Sequence, residues 1–424
     1  MSRAQHFSAP AGLPVYALTF LSEDVLAYAG GGGAGRSGVA NAIRTVRVDR
    51  DKKTLEQLHE LSLSRDEDAP MCLASEPKTR SIVCGINSPE ARLKDGSNET
   101  LRLFQYDEPT SSEKESADEK KASDAVAVRF ERAVSSLPIS DAEEYQKVAV
   151  FSPNGALLAA ASTRGQVALH RVPSLARAWA EPPAPPKSQD GAAQELFDAD
   201  FSADSSQVVF ASGRGIRVFA TPADGAADSE DGDGPRLVQT IQNPALGGTS
   251  TCAFRAARFG RGKKMDGGTS DRLFTVVNAG QTPGAKGKQA KLRKAFITAW
   301  DADSWDLIET RHVSDRPVTV FDVSADGRKL AYGSSDLSIG VLDARTLRPI
   351  VKILDAHSFP PTALRFSPSG NVLVSASADN TIRVIDVPHK YLVEQSWSET
   401  LQLIFVAFLL VVIAAYMAHR EILS

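Results

Sequence analysis

Four segments of this chain repeat one pattern, and that repetition limits the possible folds more than any other feature. They are FSPNGALLAAASTRGQVALHRV (151–172), FSADSSQVVFASGRGIRVFA (201–220), VSADGRKLAYGSSDLSIGVLDA (323–344) and FSPSGNVLVSASADNTIRVIDV (366–387). Each opens on a Ser-Pro or Ser-Ala turn, enters an apolar strand, turns through small residues and ends in an alternating strand. Turn signals separate short β-branched runs throughout, and no long segment with a 3.6-residue apolar period occurs before the C-terminal end. The repeat serines stand at 152, 202, 324 and 367. The first and last spacings suit one four-stranded unit, whereas the middle one must hold an extra unit with insertions. At 424 residues the length alone allows two or three ordinary domains or one large repeat architecture, and the self-similarity selects the second.

Composition removes several alternatives. With 42% hydrophobic and 24% charged residues the chain can bury a sizeable core, so global disorder is excluded. A net charge of −4 argues against a general polyanion binder. The three cysteines, Cys72, Cys84 and Cys252, form no Cys-x-x-Cys pair and point to a reducing compartment rather than a disulfide scaffold. Seven histidines, at 6, 59, 170, 312, 357, 389 and 419, lack metal-ligand spacing. No hydrolase or metalloprotease motif is present, so covalent enzymology is not expected.

The chain ends bear on membranes. Met1 to Pro14 contains no apolar signal-peptide core. From 401 to 418 the chain reads LQLIFVAFLLVVIAAYMA, with Gln402 its one clearly polar member, Trp397 before it and Tyr416 near its far end. At 1.5 Å per residue such a helix spans about 27 Å, enough for a thin bilayer, with aromatics where the interfaces fall. The expected organisation is a cytosolic body at 1–398, a transmembrane helix at 401–418 and a short lumenal tail at 419–424. The sequon Asn98-Glu99-Thr100 is then expected to stay unmodified.

The repeats resemble the WD-repeat family, whose blades are four-stranded sheets around a central channel. In the last copy Ala356-His357 opens the unit, Asp379 sits in its turn, and Ile385-Asp386 replaces the Trp-Asp pair. Degenerate copies near 14–49, 60–106, 145–173, 195–220, 250–301, 317–344 and 362–387 make seven blades. The fold class is therefore all-β: a seven-bladed WD-repeat-type β-propeller followed by one C-terminal transmembrane helix. In WD repeats a pair such as His357 and Asp379 is a structural hydrogen bond rather than an acid–base couple. The acidic stretches 107–124 and 222–235 and the Pro-rich stretch 181–191 are expected to be mobile rim loops. The segment Arg255 to Lys294 holds eleven Lys/Arg against Asp266 and Asp271. It is expected to be a flexible basic insertion around 260–269 and 282–294, with contact to anionic lipid headgroups as a sharper alternative. No motif or regular aromatic interleaving accompanies this charge, so nucleic acid is not an expected partner.

The most unusual segment is AYAGGGGAGRSGVANAIRTVRVD, 27–49. Gly30, Gly35, Arg36 and Ser37 nearly spell a phosphate loop, but Arg36 stands where lysine is needed. AIRTVRV, moreover, alternates like a strand where a helix should begin. The excursion from Gly30 to Asn41 is longer than a blade turn requires. Its glycines can bring carbonyls or amides together on one side, and a bound ion or partner would offset the cost of ordering them. A plain disordered hairpin loop is the alternative.

The strand Leu13–Phe20, the glycines at 30–33 and 35, Gly38-Val39-Ala40-Asn41 and Arg47-Val48-Asp49 together resemble the Sec-twelve family. The similarity extends to Asp68-Ala69-Pro70, to Ala356-His357-Ser358-Phe359 and to the C-terminal span. That resemblance implies a guanine-nucleotide exchange factor of the endoplasmic reticulum. Such a protein acts without covalent chemistry on a Sar-type small GTPase and starts COPII coat assembly. It further implies a potassium ion bound through backbone carbonyls of the glycine loop, for which Gly30, Gly31, Gly32, Gly33 and Gly35 are the candidates. Asn41 is implied as the asparagine that acts in exchange, with Gly38 and Val39 beside it and Pro70 in a supporting segment. Ala40 stands where some relatives carry proline. A membrane-anchored WD-repeat scaffold without exchange activity is the rival expectation.

Overall fold

The computed structural model describes residues 4–35, 38–108, 126–187, 191, 193–222, 235–242, 246, 252–280, 293–388 and 405. Residues 1–387 form one compact unit. Strand β1 (His6–Pro10) comes first in the chain but belongs to the last blade. Blade one is β2 (Val15–Phe20), β3 (Val25–Gly30), β4 (Ala42–Asp49) and β5 (Thr54–Ser62). Blade two is β6 (Cys72–Glu76), β7 (Ser81–Gly85), β8 (Leu101–Tyr106) and β9 (Val128–Val134), with a short helix α1 (Glu90–Lys94) between β7 and β8. Blade three has three strands, β10 (Gln146–Phe151), β11 (Leu157–Ser162) and β12 (Val167–Arg171). Blade four is β13 (Leu196–Phe201), β14 (Gln207–Ser212), β15 (Gly215–Ala220) and β16 (Leu237–Gln242). Blade five is β17 (Cys252–Phe259), β18 (Arg272–Ala279), β19 (Ala295–Asp301) and β20 (Leu307–Ser314). Blade six is β21 (Val318–Val323), β22 (Lys329–Ser334), β23 (Ile339–Asp343) and β24 (Pro349–Ile353). Blade seven is β25 (Pro361–Phe366), β26 (Val372–Ser377), β27 (Thr381–Asp386) and then β1.

The first strand of each blade touches the first strands of both neighbours, so β2, β6, β10, β13, β17, β21 and β25 close a ring around the axis. Second strands such as β3, β11 and β26 are buried along their whole length. They lie between neighbouring blades, which explains continuous small and apolar runs such as LLAAAS rather than strict alternation. The repeated Ser turns are built alike. Ser152 Oγ accepts from the Leu157 amide at 2.9 Å, and Gly155 closes the turn at φ +78°. In blade four Ser205 takes the glycine position at φ +63°, which is why that copy reads SADS.

All seven expected blades are present, but their outer strands lie beyond the expected limits. The ring closes through the N-terminal strand: β1 pairs antiparallel with β27, from His6 opposite Ile385 to Pro10 opposite Thr381. Two expected loops are also corrected. The Pro-rich stretch, as far as Lys187, packs on the body: Arg217 Nη1 donates to the Ala184 carbonyl at 2.9 Å, and Pro185 and Pro186 lie against Gly165. Beside β12, residues 176–178 make a short bridge, with Arg177 opposite His170, in place of a named fourth strand. The basic segment is not one insertion. Arg255 and Arg258 lie on β17, and 260–271 forms a connection whose ends are packed while 263–267 stay exposed; Arg261 Nη2 reaches Asp200 Oδ1 at 2.6 Å. There, a Cβ on Gly262 would sit 2.2 Å from the Asp326 carbonyl oxygen.

The acidic stretches at 109–124 and 223–234, the basic residues at 286–291 and the 401–418 span except Phe405 lie outside the described residues. Among the described residues no helix is long and apolar enough to cross a membrane. Asn98 of the sequon is buried: Nδ2 donates to the Ile139 carbonyl at 3.1 Å, and Oδ1 accepts from the Ser88 amide at 2.9 Å.

Candidate functional site

The glycine segment joins β3 to β4 and lies where β2 begins, since Val15 pairs with Gly30. Its start is held by backbone. The Gly31 amide donates to the Pro14 carbonyl at 3.1 Å, and a Cβ on Gly30 would meet that same oxygen at 1.8 Å. Gly31 has φ +143° and Gly33 φ +72°, both favouring glycine. The Gly32 amide donates to the Val39 carbonyl at 3.3 Å, which ties the two ends of the loop.

Asn41 organises everything around it. Its side chain is buried, with 1% of the residue exposed. Oδ1 accepts from the Gly33 amide at 2.9 Å, while Nδ2 donates to the carbonyls of Glu67 at 3.0 Å and Ser64 at 3.3 Å. The Leu63 amide in turn donates to the Asn41 carbonyl at 2.8 Å. A carboxamide has one acceptor end and one donor end, so a single side chain can hold the glycine loop on one side and the 64–68 segment on the other. Asn41 is thus placed as the residue that positions the loop, not as a surface group. Among the described loop residues Ala34, Gly35, Gly38, Val39 and Ala40 face outward, with Val39 39% exposed.

Pro70 is buried and follows Ala69 and Asp68 at the base of the loop. Asp68 Oδ1 accepts from the Ala69 amide at 2.8 Å and would lie 3.0 Å from a Cβ on Gly33. Burial raises the Asp68 pKa and Glu143 adds to that, against the Ala69 hydrogen bond. Asp68 supports the loop beside Pro70, a role that its place in the Asp68-Ala69-Pro70 tripeptide does not by itself reveal.

The donor set at the loop is made of oxygens. A Cβ on Gly31 would sit 2.4 Å from Asn41 Oδ1 and 2.8 Å from the Ala40 carbonyl oxygen, so this niche exists because the side chain is absent. Neutral carbonyl and carboxamide oxygens suit an alkali cation. Among the described residues no cluster of three or more His, Cys, Asp or Glu suits a transition metal or calcium.

His357 is buried: its Nδ1 is 2.8 Å from Thr381 Oγ1 and 3.5 Å from Asp379 Oδ2, and its Nε2 is 2.8 Å from Ser375 Oγ. Burial lowers its pKa, opposed by Asp379. Every ring nitrogen is engaged inside blade seven, a structural network with no access for substrate.

Fold and site together define a seven-bladed WD-repeat-type propeller that carries a pinned glycine loop on one face. Residues 348–386 match the family described as WD domain, G-beta repeat. Within that class the chain is similar to the SEC12 proteins. It is 22% identical to the guanine nucleotide-exchange factor SEC12 of Candida glabrata over 97% of this chain and 81% of that one. It is 24% identical to SEC12-like protein 2 of Arabidopsis thaliana, covering 84% and 74%. The guanine nucleotide-exchange factor SEC12 of Rattus norvegicus is also 24% identical, covering 84% and 82%. Among solved structures, Chaetomium thermophilum Raptor shares the fold with a TM-score of 0.61 at 14% identity. The alignment takes in 92% of this chain but only 29% of that one.

Proposed function

We propose that this protein is a guanine-nucleotide exchange factor for a Sar-type small GTPase, acting at the endoplasmic-reticulum membrane where COPII coats begin. The carrying observation is the glycine loop held from beneath by Asn41, with Gly38, Val39 and Ala40 facing out. Similarity to SEC12 exchange factors along most of the chain supports it.

A small GTPase grips its nucleotide through a phosphate loop, Mg²⁺ and switch segments packed over them. A protein that binds the nucleotide-free form more tightly than the loaded form must weaken nucleotide affinity by the same factor. That work needs a rigid wedge. The ring of blades anchors both ends of the loop, Asn41 fixes its middle through Gly33, and the exposed Val39 supplies an apolar contact for the switch segments. A potassium ion taken up by the oxygens around Gly31 and Asn41, with the carbonyls of Gly30, Gly32, Gly33 and Gly35 as further candidates, would supply neutralisation of converging carbonyl dipoles. The loop residues themselves do the displacing, and no covalent step is needed. The 401–418 span would keep the propeller at the bilayer.

The test is GDP-to-GTP exchange on a Sar-type GTPase with the full chain in detergent, in K⁺ and then in Na⁺ at equal ionic strength. Acceleration in K⁺ that weakens in Na⁺ is expected. No acceleration in either salt would leave a membrane-anchored scaffold.

A further inference from the structure

Six of the seven innermost strands carry a β-bulge near their starts. The pairing register slips at Tyr16, Lys147, Phe197, Arg255, Thr319 and Thr362. A bulge leaves its residue out of the ladder and re-aims its side chain, and bulges recur where a site is being built. Here all six side chains line one axial cavity of about 150 Å³. That is roughly ten times the ~10–15 Å³ that one water requires. Because these strands begin on the glycine-loop face, the bulged residues stand at that end of the channel.

Charge along the channel is almost balanced. Arg258 pairs with Asp198 at 2.7 Å, Arg261 with Asp200 at 2.6 Å, Arg365 with Asp322 at 3.9 Å, and Lys147 with Glu195. Arg255 is the exception. Its Nε donates to the Thr319 carbonyl at 3.1 Å and its guanidinium carbon lies 4.9 Å from the Phe197 ring centroid. Among the described residues no carboxylate stands within ion-pair distance of it. Lys147 Nζ shares the same ring at 4.7 Å, so two cations meet over one aromatic platform. Burial lowers the pKa of both, and Arg255 lowers that of Lys147 further. Deeper in the same cavity, Arg258 Nε is buried without an acceptor among the described residues. The Thr319 and Thr362 hydroxyls already donate to the carbonyls of Pro361 and Val15, stitching neighbouring blades. Arg255 and Arg258 thus offer guanidinium donors, whose planar fork matches an oxyanion.

We propose that this axial cavity binds one oxyanion group, a phosphate or carboxylate, with Arg255 as its principal ligand, Lys147 beside it and Arg258 Nε beneath. Two sources carry that chemistry: a free anion, and an acidic side chain of a protein docked on the glycine-loop face. The test uses the full chain in detergent, with chloride setting a constant ionic strength. Inorganic phosphate is titrated and followed by ³¹P line width, with acetate as competitor. Saturable binding that Arg255→Gln weakens about tenfold or more, and that Arg255→Lys restores only in part, assigns a free anion. Phe197→Leu, which removes the platform and keeps both charges, is expected to weaken it as well and serves if Arg255→Gln does not fold. If phosphate does not bind but Arg255→Gln captures nucleotide-free GTPase about tenfold more weakly, the acidic side chain is assigned. That arm rests on the exchange reading, and a wild-type protein without exchange would fail it while leaving the phosphate arm to decide. Phosphate binding that is unchanged in both variants overturns the proposal. So does the absence of any phosphate or acetate binding together with unchanged GTPase capture.

Discussion

Replacing Asn41 with alanine removes a buried group that joins the glycine loop to the 64–68 segment. Four contacts among the described residues go: the Gly33 amide at 2.9 Å and the carbonyls of Glu67 at 3.0 Å, Ser64 at 3.3 Å and Asp68 at 3.4 Å. Each neutral hydrogen bond contributes about 1 kcal/mol net, and a buried group left without a partner costs about 1–3 kcal/mol. Because the side chain is buried, water does not readily replace those partners. The loop conformation is then destabilised by about 2–4 kcal/mol, which corresponds to a shift of roughly 30- to 1,000-fold toward open forms. Most of that loss is local, because the Asn41 backbone still holds the Leu63 amide and β4 still pairs with β3 and β5. The assay has two readouts on the full chain: nucleotide exchange on the Sar-type GTPase, and hydrogen exchange at the amides of Gly32, Gly33 and Gly38. Exchange at least about tenfold slower with faster amide exchange is expected. Loosened amides with full-rate nucleotide exchange would refute the argument that an ordered loop does the work. Asn41→Asp keeps Oδ1 but turns a carboxylate toward carbonyls, so it should be no better than alanine.

Three further outcomes are expected. Gly30→Ala places a Cβ 1.8 Å from the Pro14 carbonyl oxygen, which can yield only if β2 shifts, so the thermal midpoint should drop markedly by circular dichroism; an unchanged midpoint refutes the packing argument. His170 is held neutral, with Nδ1 donating to the Leu175 carbonyl at 2.9 Å and Nε2 accepting from Ser136 at 2.8 Å, and burial lowers its pKa from 6.5 to about 4. The folded protein then binds fewer protons than the unfolded chain between those values. Stability present above 6.5 is therefore lost as pH falls toward 4, by on the order of 3 kcal/mol. Urea unfolding across that window should be flatter for His170→Gln, and parallel curves would sink the assignment. Deleting residues 1–10 exposes the edge of β27 and opens blade seven, so aggregation and early thermal unfolding are expected; a monomeric variant with the full-length midpoint would show that closure matters little.

Much of the architecture was legible because it is local. The Ser-Pro/Ala turns, the apolar second strands and the alternating third strands each occupy some twenty consecutive residues, as in 151–172 and 366–387. Seven such units could therefore be counted without knowing how they meet. The glycine loop stood out for a similar reason, since closing β3 onto β4 does not require so long a run. The role of Asn41 was not legible, because which side of the sheet a loop residue faces depends on partners at Glu67 and Ser64, more than twenty residues away. The basic segment misled for a related reason. Charge counted along 255–294 merges Arg255 and Arg258, on an inner strand, with residues of a connecting loop.

The sequence by itself determined the repeat, the all-β class, the number of blades and the segment worth watching, since turn chemistry and strand period act over a few residues. Tertiary structure alone decided three things: that β1 pairs with β27 across the whole length of the propeller, that Asn41 turns inward, and that six bulges aim their side chains into one channel. Each depends on strand pairings and blade contacts between residues far apart in the chain. Register and burial at such contacts are settled only when the ring closes and every buried polar group must find its partner.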